Sequence, residues 1–518
     1  MPVPHAELER QRLTLQVRLD SEKSQAERNR QGQFSTPPAL AEDVLRYASK
    51  LLPGGEEVRF IDPAIGTGAF YSALFGAVPR ARIAGALGFE IDPHYGDAAR
   101  KLWRGTGLDY RLADFTKATP EACFNLLICN PPYVRHHHLS NADKARLQRS
   151  TFAVSGLELS GLSGLYCHFV GLSHAWMADH GIAGWLIPSE FMDVNYGQAL
   201  KRYLLNKVTL LHIHRFDPNE VQFMDALVSS AVVWFRNAPP PRDHAVKFTV
   251  GGTLTEPKLS RLVAATDLAQ EAKWTRFPVA DVRPKATLPT IADFFKIKRG
   301  LATGDNSYFI LSLDQIKERG LPMEVFRPIV PSPRYLPTDR IESDASGRPK
   351  LERQLFLLDT ILKESEIAQR YPSLFAYLQE GKERSIHARY LCRHRAPWYA
   401  QEKRPPAPIV CTYLGRGDSM RERPFRFILN RSKATAANVY LMMYPTQMLA
   451  GALHRDPALL DRVWDSLNGL TAAELVGEGR VYGGGLYKLE PKELANVPVP
   501  HIMEILPAAD RPATRAHR

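Results

Sequence analysis

The chain has 518 residues, of which 44% are hydrophobic and 24% are charged, and its formal net charge is +12. These values are typical of a globular protein with two or three domains, and they exclude a disordered chain. No apolar run reaches the ~18 residues of a membrane helix, and residues 1–30 are charged where a signal peptide would be apolar, so we expect a cytoplasmic protein without membrane contacts.

The cysteines argue against a disulfide framework and against a structural metal site. There are five, an odd number, and none is spaced as CxxC. Such sparse cysteines are typical of a reducing compartment. We therefore predict no metal site. The cysteines are Cys123, Cys129, Cys167, Cys392 and Cys411.

Changes in composition predict five segments along the chain. A polar helix that Gly32 ends comes first, and a proline-rich break at residues 237–243 comes near the middle. We expect an N-terminal helical arm at 1–31, an α/β domain at 32–240, a linker region at 241–284, a second and mixed α+β domain at 285–503, and a flexible tail at 504–518.

Short apolar runs alternate with helix-like segments between residues 33 and 235. This alternation predicts an α/β fold with a doubly wound, mostly parallel, Rossmann-like sheet covered by helices on both faces. We expect the sheet to end at the proline-rich break, because proline cannot continue a central strand. The predicted strands are residues 58–61, 83–89, 126–129, 182–187, 210–215 and 230–235.

A glycine-containing turn follows the first of these strands. Gly66 and Gly68 would let the backbone approach a ligand, and the next helix would offer free N–H groups. The loop lacks the Lys-Ser/Thr of a P-loop and the glycine spacing of a dinucleotide fingerprint. Asp62, at the strand end, is expected to face the ligand with a carboxylate, which suits a cationic amino-acid moiety better than a phosphate.

Two further strand ends carry acids. The carboxyl ends of parallel strands meet at one crevice in a doubly wound sheet, so Glu90 and Asp114 should join Asp62 there. A carboxylate after the second strand can accept hydrogen bonds from both ribose hydroxyls. One after the third strand can accept from an adenine amino group, with Phe115 against the ring.

The strongest motif is Asn130-Pro131-Pro132-Tyr133, directly after an apolar strand. The two prolines fix φ and stiffen the turn, which would hold the side chains of Asn130 and Tyr133 in a rigid frame at the edge of the crevice. Alone, the tetrapeptide could be an ordinary loop. After three acid-bearing strand ends, it indicates an active site.

At this point the chain resembles the class I S-adenosylmethionine-dependent methyltransferases, and among them the N6-adenine DNA methyltransferases of type II restriction-modification systems. Residues 33–38 are similar to the family motif upstream of the cofactor loop, and the motif order, with a long C-terminal region, is that of the gamma arrangement. The resemblance is close over residues 33–235 and looser at residues 298–306, 398–399 and 483–492.

The resemblance implies that 32–240 is the methyltransferase domain, that 285–503 is a DNA target recognition domain, and that the cofactor is S-adenosyl-L-methionine. It also implies a set of cofactor-binding positions around the crevice. These are Thr36, Asp62, Ala64, Gly66, Gly68, Glu90, Ile91, Asp114, Phe115, Asn130 and Phe169. For Phe169, core packing is the alternative.

The implied catalysis is methyl transfer to N6 of an adenine flipped out of the duplex. The oxygens of the Asn130 side chain and the Pro131 backbone would accept hydrogen bonds from the amino group and orient it for attack. Tyr133 would stack on the extruded base. Phe223 is the candidate for a second aromatic clamp, with core packing as the alternative.

Arginine and aromatic residues recur together in the C-terminal half, as a duplex-binding domain requires, although some will be ordinary surface charges. The candidates for DNA contact are Arg135, Lys298, Arg299, Arg393, Arg395 and Arg416. Three consecutive histidines, His136 to His138, cannot all face one ion from a regular element, and we interpret them as a solvated loop near DNA.

Several alternatives stay open at this level. An RNA or protein-glutamine N-methyltransferase could use the same tetrapeptide, and a catalytically silent nucleic-acid-binding module or a fused restriction enzyme is also conceivable. Glutamine methyltransferases have no basic domain of such length behind the sheet. We expect a monomer that methylates double-stranded DNA without cleaving it and is paired in function with a cognate restriction endonuclease.

Overall fold

The computed structural model describes residues 4–121, 123–217, 229–278, 288–416, 424–482 and 486–507. The chain divides into two units. The first unit is Met1–Pro284 with Tyr482–Gly484, and the second unit is Lys285–Val481 with Gly485–Arg518. Among the described residues, no helix is both long enough and apolar enough to cross a membrane.

The first unit is built from helices α1 to α9 and strands β1 to β9. The helices are α1 His5–Ser21, α2 Gln25–Gln31, α3 Pro38–Leu51, α4 Ala69–Ala77, α5 Pro93–Leu102, α6 Asn141–Ser155, α7 Leu165–Ser173, α8 Gln198–Asn206 and α9 Ala265–Gln270. The strands are β1 Val58–Asp62, β2 Ile83–Glu90, β3 Leu108–Leu112, β4 Phe124–Cys129, β5 Met177–Pro188, β6 Thr209–Arg215, β7 Ser230–Arg236, β8 Ala245–Gly252 and β9 Pro257–Ala264.

These strands form one sheet in the order β3-β2-β1-β4-β5-β7-β6-β8-β9. Strands β1 to β5 run parallel to one another, whereas β7 is antiparallel to both β5 and β6. All six predicted strands lie within strands of this sheet. The doubly wound, mostly parallel fold predicted from the alternation of strands and helices is confirmed.

The sheet has a hydrophobic core on each face. Along β1, Phe60 packs into one cluster and Ile61 into the other, and along β4, Ile128 and Leu127 divide in the same way. Side chains alternate between the faces of a strand, so a strand segment covered on both sides is apolar at successive positions. This explains why the adjacent residues Phe60 and Ile61, and likewise Leu127 and Ile128, are all apolar.

The prediction that the sheet ends at the proline-rich break is wrong. Beyond that break, β8 pairs in parallel with β6, and β9 then pairs antiparallel with β8. Val246 and Phe248 bury their side chains in the core of the first unit. The prolines follow the end of β7 but leave the chain free to return to the sheet, so Ala245–Gly252 and Pro257–Ala264, within the predicted linker, are strands of the first unit.

The N-terminal segment consists of two helices where a single polar helix was predicted. Ser24 caps α2 by accepting a hydrogen bond from the backbone N–H of Glu27, and Gly32 ends α2 in the left-handed region, at φ 67°. Leu8, Arg12 and Leu19 of α1 are buried. The helix α1 is therefore packed against the first unit and is not an extended arm.

The second unit is mixed α+β, as predicted. Its sheets have the orders β10-β19-β15-β17-β13, β11-β14-β12-β18 and β16-β21-β20. The strands are β10 Phe295–Arg299, β11 Ile310–Ser312, β12 Phe326–Val330, β13 Arg340–Ile341, β14 Leu355–Leu358, β15 Ile409–Thr412, β16 Leu414–Arg416, β17 Phe427–Asn430, β18 Thr435–Ala436, β19 Tyr440–Pro445, β20 Arg480–Tyr482 and β21 Leu486–Lys488.

The helices of the second unit are short. They are α10 Ile291–Phe294, α11 Asn306–Phe309, α12 Leu313–Glu318, α13 Glu364–Arg370, α14 Pro372–Glu383, α15 Gln447–Arg455, α16 Leu459–Asn468, α17 Ala472–Glu478, α18 Pro491–Ala495 and α19 Pro500–Ile505. The tail expected at 504–518 starts inside α19, and its residues 508–518 lie outside the described part.

Candidate active site

A cavity of about 410 Å³ opens at the carboxyl ends of the parallel strands of the first unit. The residues that follow β1, β2, β3 and β4 all contribute to its wall. This is the crevice at which open α/β sheets bind ligands. Of the predicted cofactor-binding residues, the lining includes Ala64, Gly66, Glu90, Ile91, Asp114, Phe115, Asn130 and Phe169.

The glycine turn after β1 has two residues in the left-handed region, Gly66 at φ 53° and Gly68 at φ 92°. A Cβ on Gly68 would lie 2.4 Å from the indole nitrogen of Trp103. That indole N–H donates to the carbonyl of Thr67 at 2.8 Å. Gly68 does not line the cavity. Because Gly68 has no side chain, Trp103 can pack against the turn.

Asp62 was predicted to face the ligand. In the structure it lies beneath the glycine turn and does not line the cavity. The residue is 1% exposed, and its Oδ1 accepts a hydrogen bond from the backbone N–H of Ala64 at 3.0 Å. Burial raises the pKa of Asp62 to about 8. The backbone N–H of Ala64 orients the carboxyl group, and the carboxyl group in turn supports the loop.

Glu90 joins the glycine turn to the end of β2. Its Oε2 accepts from the N–H of Gly66 at 3.1 Å, and its Oε1 accepts from the N–H of Asp92 at 2.7 Å. Burial raises the pKa of Glu90 to about 7. The side chain also lines the cavity, so this carboxylate is fixed by two backbone donors at the wall of the site.

Asp114 and two phenylalanines form another part of the wall. The Oδ1 of Asp114 accepts from the backbone N–H and the hydroxyl of Thr116, at 2.9 and 2.7 Å. The rings of Phe115 and Phe169 pack with centroids 5.3 Å apart. Together they give an acceptor beside an apolar surface. Ile91, 65% exposed, also lines the cavity.

Asn130 has one satisfied end and one unsatisfied end. Its Nδ2 donates to the carbonyl of Phe34 at 3.0 Å and to the Thr36 hydroxyl at 3.1 Å. Its Oδ1 is buried and has no hydrogen-bond partner. Thr36 does not line the cavity but holds the amide in place, so the free oxygen is the group left to bind something else.

The rest of the tetrapeptide is packed into the fold. Tyr133 is 8% exposed, its hydroxyl donates to the carbonyl of Leu186 at 3.1 Å, and its ring lies 5.6 Å from that of Phe34. Burial raises the pKa of Tyr133. Pro131 is buried and Pro132 lines the cavity. The predicted clamp, Phe223, lies outside the described residues.

Gly32 explains how the segment before α3 reaches the tetrapeptide. The backbone N–H of Tyr133 donates to the carbonyl of Gly32 at 3.2 Å. A Cβ on Gly32 would lie only 2.4 Å from that nitrogen. With its positive φ, this position admits glycine and little else. The close contact places Phe34 and Thr36 where they bind Asn130.

Helix α1 also contributes to the cavity wall, which was not predicted from the sequence. Gln16 lines the cavity, and its Oε1 accepts from the hydroxyl of Thr67 at 2.5 Å. A signal was present, since Leu8, Arg12, Gln16 and Leu19 recur at helical intervals and so share one face. Arg146 of α6, whose guanidinium donates to the Thr116 carbonyl at 3.1 Å, was also missed.

Of the residues predicted to contact DNA, Arg135, Lys298, Arg299 and Arg393 are exposed. The side chain of Arg416 lies outside the description. Arg395 instead donates to the carbonyls of Ala302 and Thr303 within the second unit, so its guanidinium serves the local fold. The interpretation of Arg395 as a DNA ligand therefore loses its support.

The histidine triplet forms a single 3-10 turn, and none of its residues is buried. Among the described residues, no group of three or more His, Cys, Asp or Glu side chains is placed to hold a metal ion. The described cysteines are all free thiols.

The strand order, the glycine turn after β1, the acids after β2 and β3 and the tetrapeptide after β4 define a class I S-adenosylmethionine-dependent methyltransferase. Residues 104–222 match the family "Eco57I restriction-modification methylase", and residues 273–516 match "Type II methyltransferase M.Eco57I, C-terminal domain".

Two relatives that match this chain over most of their length support the same family. The type II methyltransferase M.XamI of Xanthomonas campestris pv. amaranthicola is 30% identical over 493 residues, which cover 91% of this chain and 86% of the relative. M.AccI of Acinetobacter calcoaceticus is 25% identical over 488 residues, covering 90% of this chain and 85% of the relative. The chain belongs to the type II methyltransferases of restriction-modification systems, and is a DNA methyltransferase that uses S-adenosylmethionine.

Among solved structures, the type IIL restriction-modification enzyme MmeI, in complex with DNA, is similar in fold. The TM-score is 0.50 at 14% sequence identity, and the match covers 88% of this chain and 63% of that chain. At this identity the likeness concerns the fold alone.

Proposed function

We propose that the protein transfers a methyl group from S-adenosylmethionine to N6 of an adenine that is flipped out of double-stranded DNA. The observation that carries the proposal is the Asn130 side chain. Its Oδ1 is buried and has no partner, while its Nδ2 is held by Phe34 and Thr36. A buried acceptor without a donor carries a cost of about 1–3 kcal/mol, and a substrate donor would remove it.

The residues of the cavity fit the cofactor. Glu90 would accept hydrogen bonds from the ribose hydroxyls, Asp114 from the adenine amino group, and the rings of Phe115 and Phe169 would cover the adenine face. Each of these residues lines the same cavity of about 410 Å³. The bound cofactor supplies a methyl group that is activated by a positively charged sulfur.

The amino nitrogen of adenine is a poor nucleophile because its lone pair is delocalised into the ring. Hydrogen bonds from the amino group to Asn130 Oδ1 and to the Pro131 carbonyl would localise that lone pair and fix its direction. Asn130 is suited to this task because its amide cannot rotate without breaking the bonds to Phe34 and Thr36. The geometry orients the acceptor before the base arrives.

Base flipping would cost a few kcal/mol in lost pairing and stacking. Stacking of the extruded base on Tyr133 would return about 1–3 kcal/mol. The Tyr133 hydroxyl is tied to the Leu186 carbonyl, so the ring is held in one orientation. Phe223 stays a prediction for the opposite face of the base.

The biological role that follows is protection of DNA from a partner restriction endonuclease that reads the same site. Membership of the restriction-modification methylases supports this role. The exposed cations Arg135, Lys298, Arg299 and Arg393 would contribute phosphate contacts in the bound duplex. The 285–503 region would then choose the site at which methylation occurs.

The test offers the full-length protein and methyl-labelled cofactor a choice of polymers: unmethylated plasmid DNA, total RNA and a protein extract. We expect label in the DNA. Label in RNA or protein with none in DNA would contradict the proposal and favour the RNA or protein-glutamine alternative. Plasmid recovered after complete modification should also resist cleavage by an endonuclease of matching specificity.

A further inference from the structure

A loop in the second unit, residues 384–395, which we call the Tyr390 loop, has an unusual charge. It follows α14 and contains four arginines and two histidines, and no Asp or Glu occurs between residues 384 and 401. None of these residues lines the cavity of the candidate active site. A surface segment of this composition attracts a polyanion.

The base of the Tyr390 loop is fixed. Ile386 is 1% exposed and Cys392 is fully buried in a hydrophobic core of the second unit. Arg389 forms an ion pair with Asp305 at 2.6 Å, and Arg395 donates to the carbonyl of Thr303 at 2.8 Å. Buried anchors and these polar contacts hold the loop in one conformation.

The tip of the loop carries exposed apolar surface. Tyr390 is 69% exposed and its neighbour Leu391 is 37% exposed. The Arg393 guanidinium lies 5.3 Å from the centroid of the Tyr390 ring, and the His394 ring lies 4.7 Å from it. The aromatic ring is therefore positioned by its neighbours although most of its surface faces solvent.

The segment after β10 lies directly against this loop. Arg395 and Arg389 bind the carbonyls of residues 302 to 304, which follow β10. Lys296 and Lys298 of β10 are exposed. The segment that directly follows the basic strand β10 is thus packed against the Tyr390 loop, which carries the exposed aromatic ring.

We infer that Tyr390 is a DNA-contacting residue, whose ring packs against a base or sugar of the duplex while Arg393 and Lys298 contact phosphates. The inference rests on the proposed function. Charge complementarity selects the partner, because the segment itself contains no acid and both Arg393 and Lys298 are exposed cations. An aromatic ring beside exposed cations suits a polymer that presents both phosphates and flat apolar rings.

The chain offers a matched control. Tyr335, also in the second unit, is 51% exposed, and the Arg353 guanidinium lies 4.4 Å from its ring centroid. It therefore has the exposure and the stacked arginine of Tyr390. It lacks the continuous acid-free segment, since Asp339 and Glu342 follow it closely. Comparing the alanine variants of the two tyrosines distinguishes the loss of a specific DNA contact from a general effect of removing an exposed ring.

The experiment measures binding of the full chain, with S-adenosylhomocysteine present, to unmethylated duplex that the unaltered protein methylates. We expect Tyr390→Ala to weaken binding about 5- to 150-fold, as for loss of one stacking contact of about 1–3 kcal/mol. Tyr390→Phe should bind as the unaltered protein does, and so should Tyr335→Ala. The salt dependence should be unchanged in Tyr390→Ala and shallower by about one ion in Arg393→Ala.

Equal binding by Tyr390→Ala and the unaltered protein would overturn the inference, and so would equal losses in Tyr390→Ala and Tyr335→Ala. Thermal unfolding checks that the variants fold. If the unaltered protein fails to methylate or bind DNA, the proposed function itself fails, which is a different result from a silent Tyr390. Weaker binding of Tyr390→Ala to heparin, at unchanged DNA affinity, would also contradict the inference.

Discussion

The carboxyl edge of the sheet in the first unit and the Tyr390 loop in the second unit use charge in opposite ways. Glu90 is held at its site by two backbone N–H groups, and Asp62 is buried beneath the glycine turn. In the Tyr390 loop, Arg393 is exposed and contacts little more than a neighbouring ring. A few fixed polar groups suit chemistry on one small ligand, whereas many exposed cations suit a long polyanion and act additively.

The largest effect is expected at Asn130. We expect Asn130→Ala to lower kcat about 10²–10³-fold, because the acceptor that orients the amino group is lost, while DNA and cofactor affinity stay within a few-fold. Single-turnover methyl transfer to unmethylated plasmid measures this. The matched control is Asn125→Ala in β4, the strand that precedes Asn130, since the Asn125 amide bonds the backbone at Arg59 and Glu57, away from the cavity. A similar loss of kcat in the control would contradict the role of Asn130.

The next effect concerns cofactor affinity. Glu90→Gln should weaken cofactor binding about 10- to 100-fold, because a charged acceptor is worth about 1.5–3 kcal/mol in hydrogen bonds. Isothermal titration calorimetry measures this, with Glu121→Gln on the exposed surface as the control. Unchanged affinity in Glu90→Gln would remove the ribose contact from the proposal.

Replacing Arg395 should affect protein stability, whereas replacing Lys298 should affect DNA binding. Arg395→Ala should destabilise the second unit by about 2 kcal/mol, because it removes charged donors from the carbonyls of Ala302 and Thr303. Lys298→Ala should leave stability within about 0.5 kcal/mol and reduce the salt dependence of DNA binding by about one ion. Thermal unfolding and binding at several salt concentrations distinguish them, and the reverse pattern would contradict the division.

The smallest effect is a pH dependence of stability in the cofactor-free protein. Burial raises the pKa of Glu90 to about 7, so the folded state holds a proton that the unfolded state releases at lower pH. The stabilising contribution is complete below the ordinary pKa of a glutamate and is lost as pH rises through about 7. We expect the Tm of the unaltered protein to fall relative to that of Glu90→Gln between pH 5 and 8. Parallel profiles would show that Glu90 titrates normally.

The sequence predicted which residues surround the crevice more accurately than it predicted how those residues pack and bond. Parallel strands end at one edge, so the positions of Gly66, Glu90, Asp114 and Asn130 around one crevice followed from the order of strands alone. The orientation of Asp62 did not follow, because it depends on a hydrogen bond to the backbone of Ala64. Thr36 was placed in the right region, but its bond to Asn130 required the fold.

Predictions were weakest where partners are distant in sequence. Strands β8 and β9 were missed because a proline-rich break marks a loop and does not tell where the chain goes next. The local role of Arg395 could not be predicted, because its partners, the carbonyls after β10, carry no side-chain signal in the sequence. A list of arginines predicts the surplus of charge, and the structure is needed to separate bound guanidinium groups from exposed ones.

The proposed methylation of adenine N6 is tested most directly by identifying the DNA atom that receives the methyl group. Unmethylated plasmid is incubated with the protein and S-adenosylmethionine, digested to nucleosides and analysed by mass spectrometry, with Asn130→Ala in parallel. We expect N6-methyldeoxyadenosine as the product, at a level sharply reduced in the variant. Methylated cytosine in place of methylated adenine, or equal product from the variant, would contradict it.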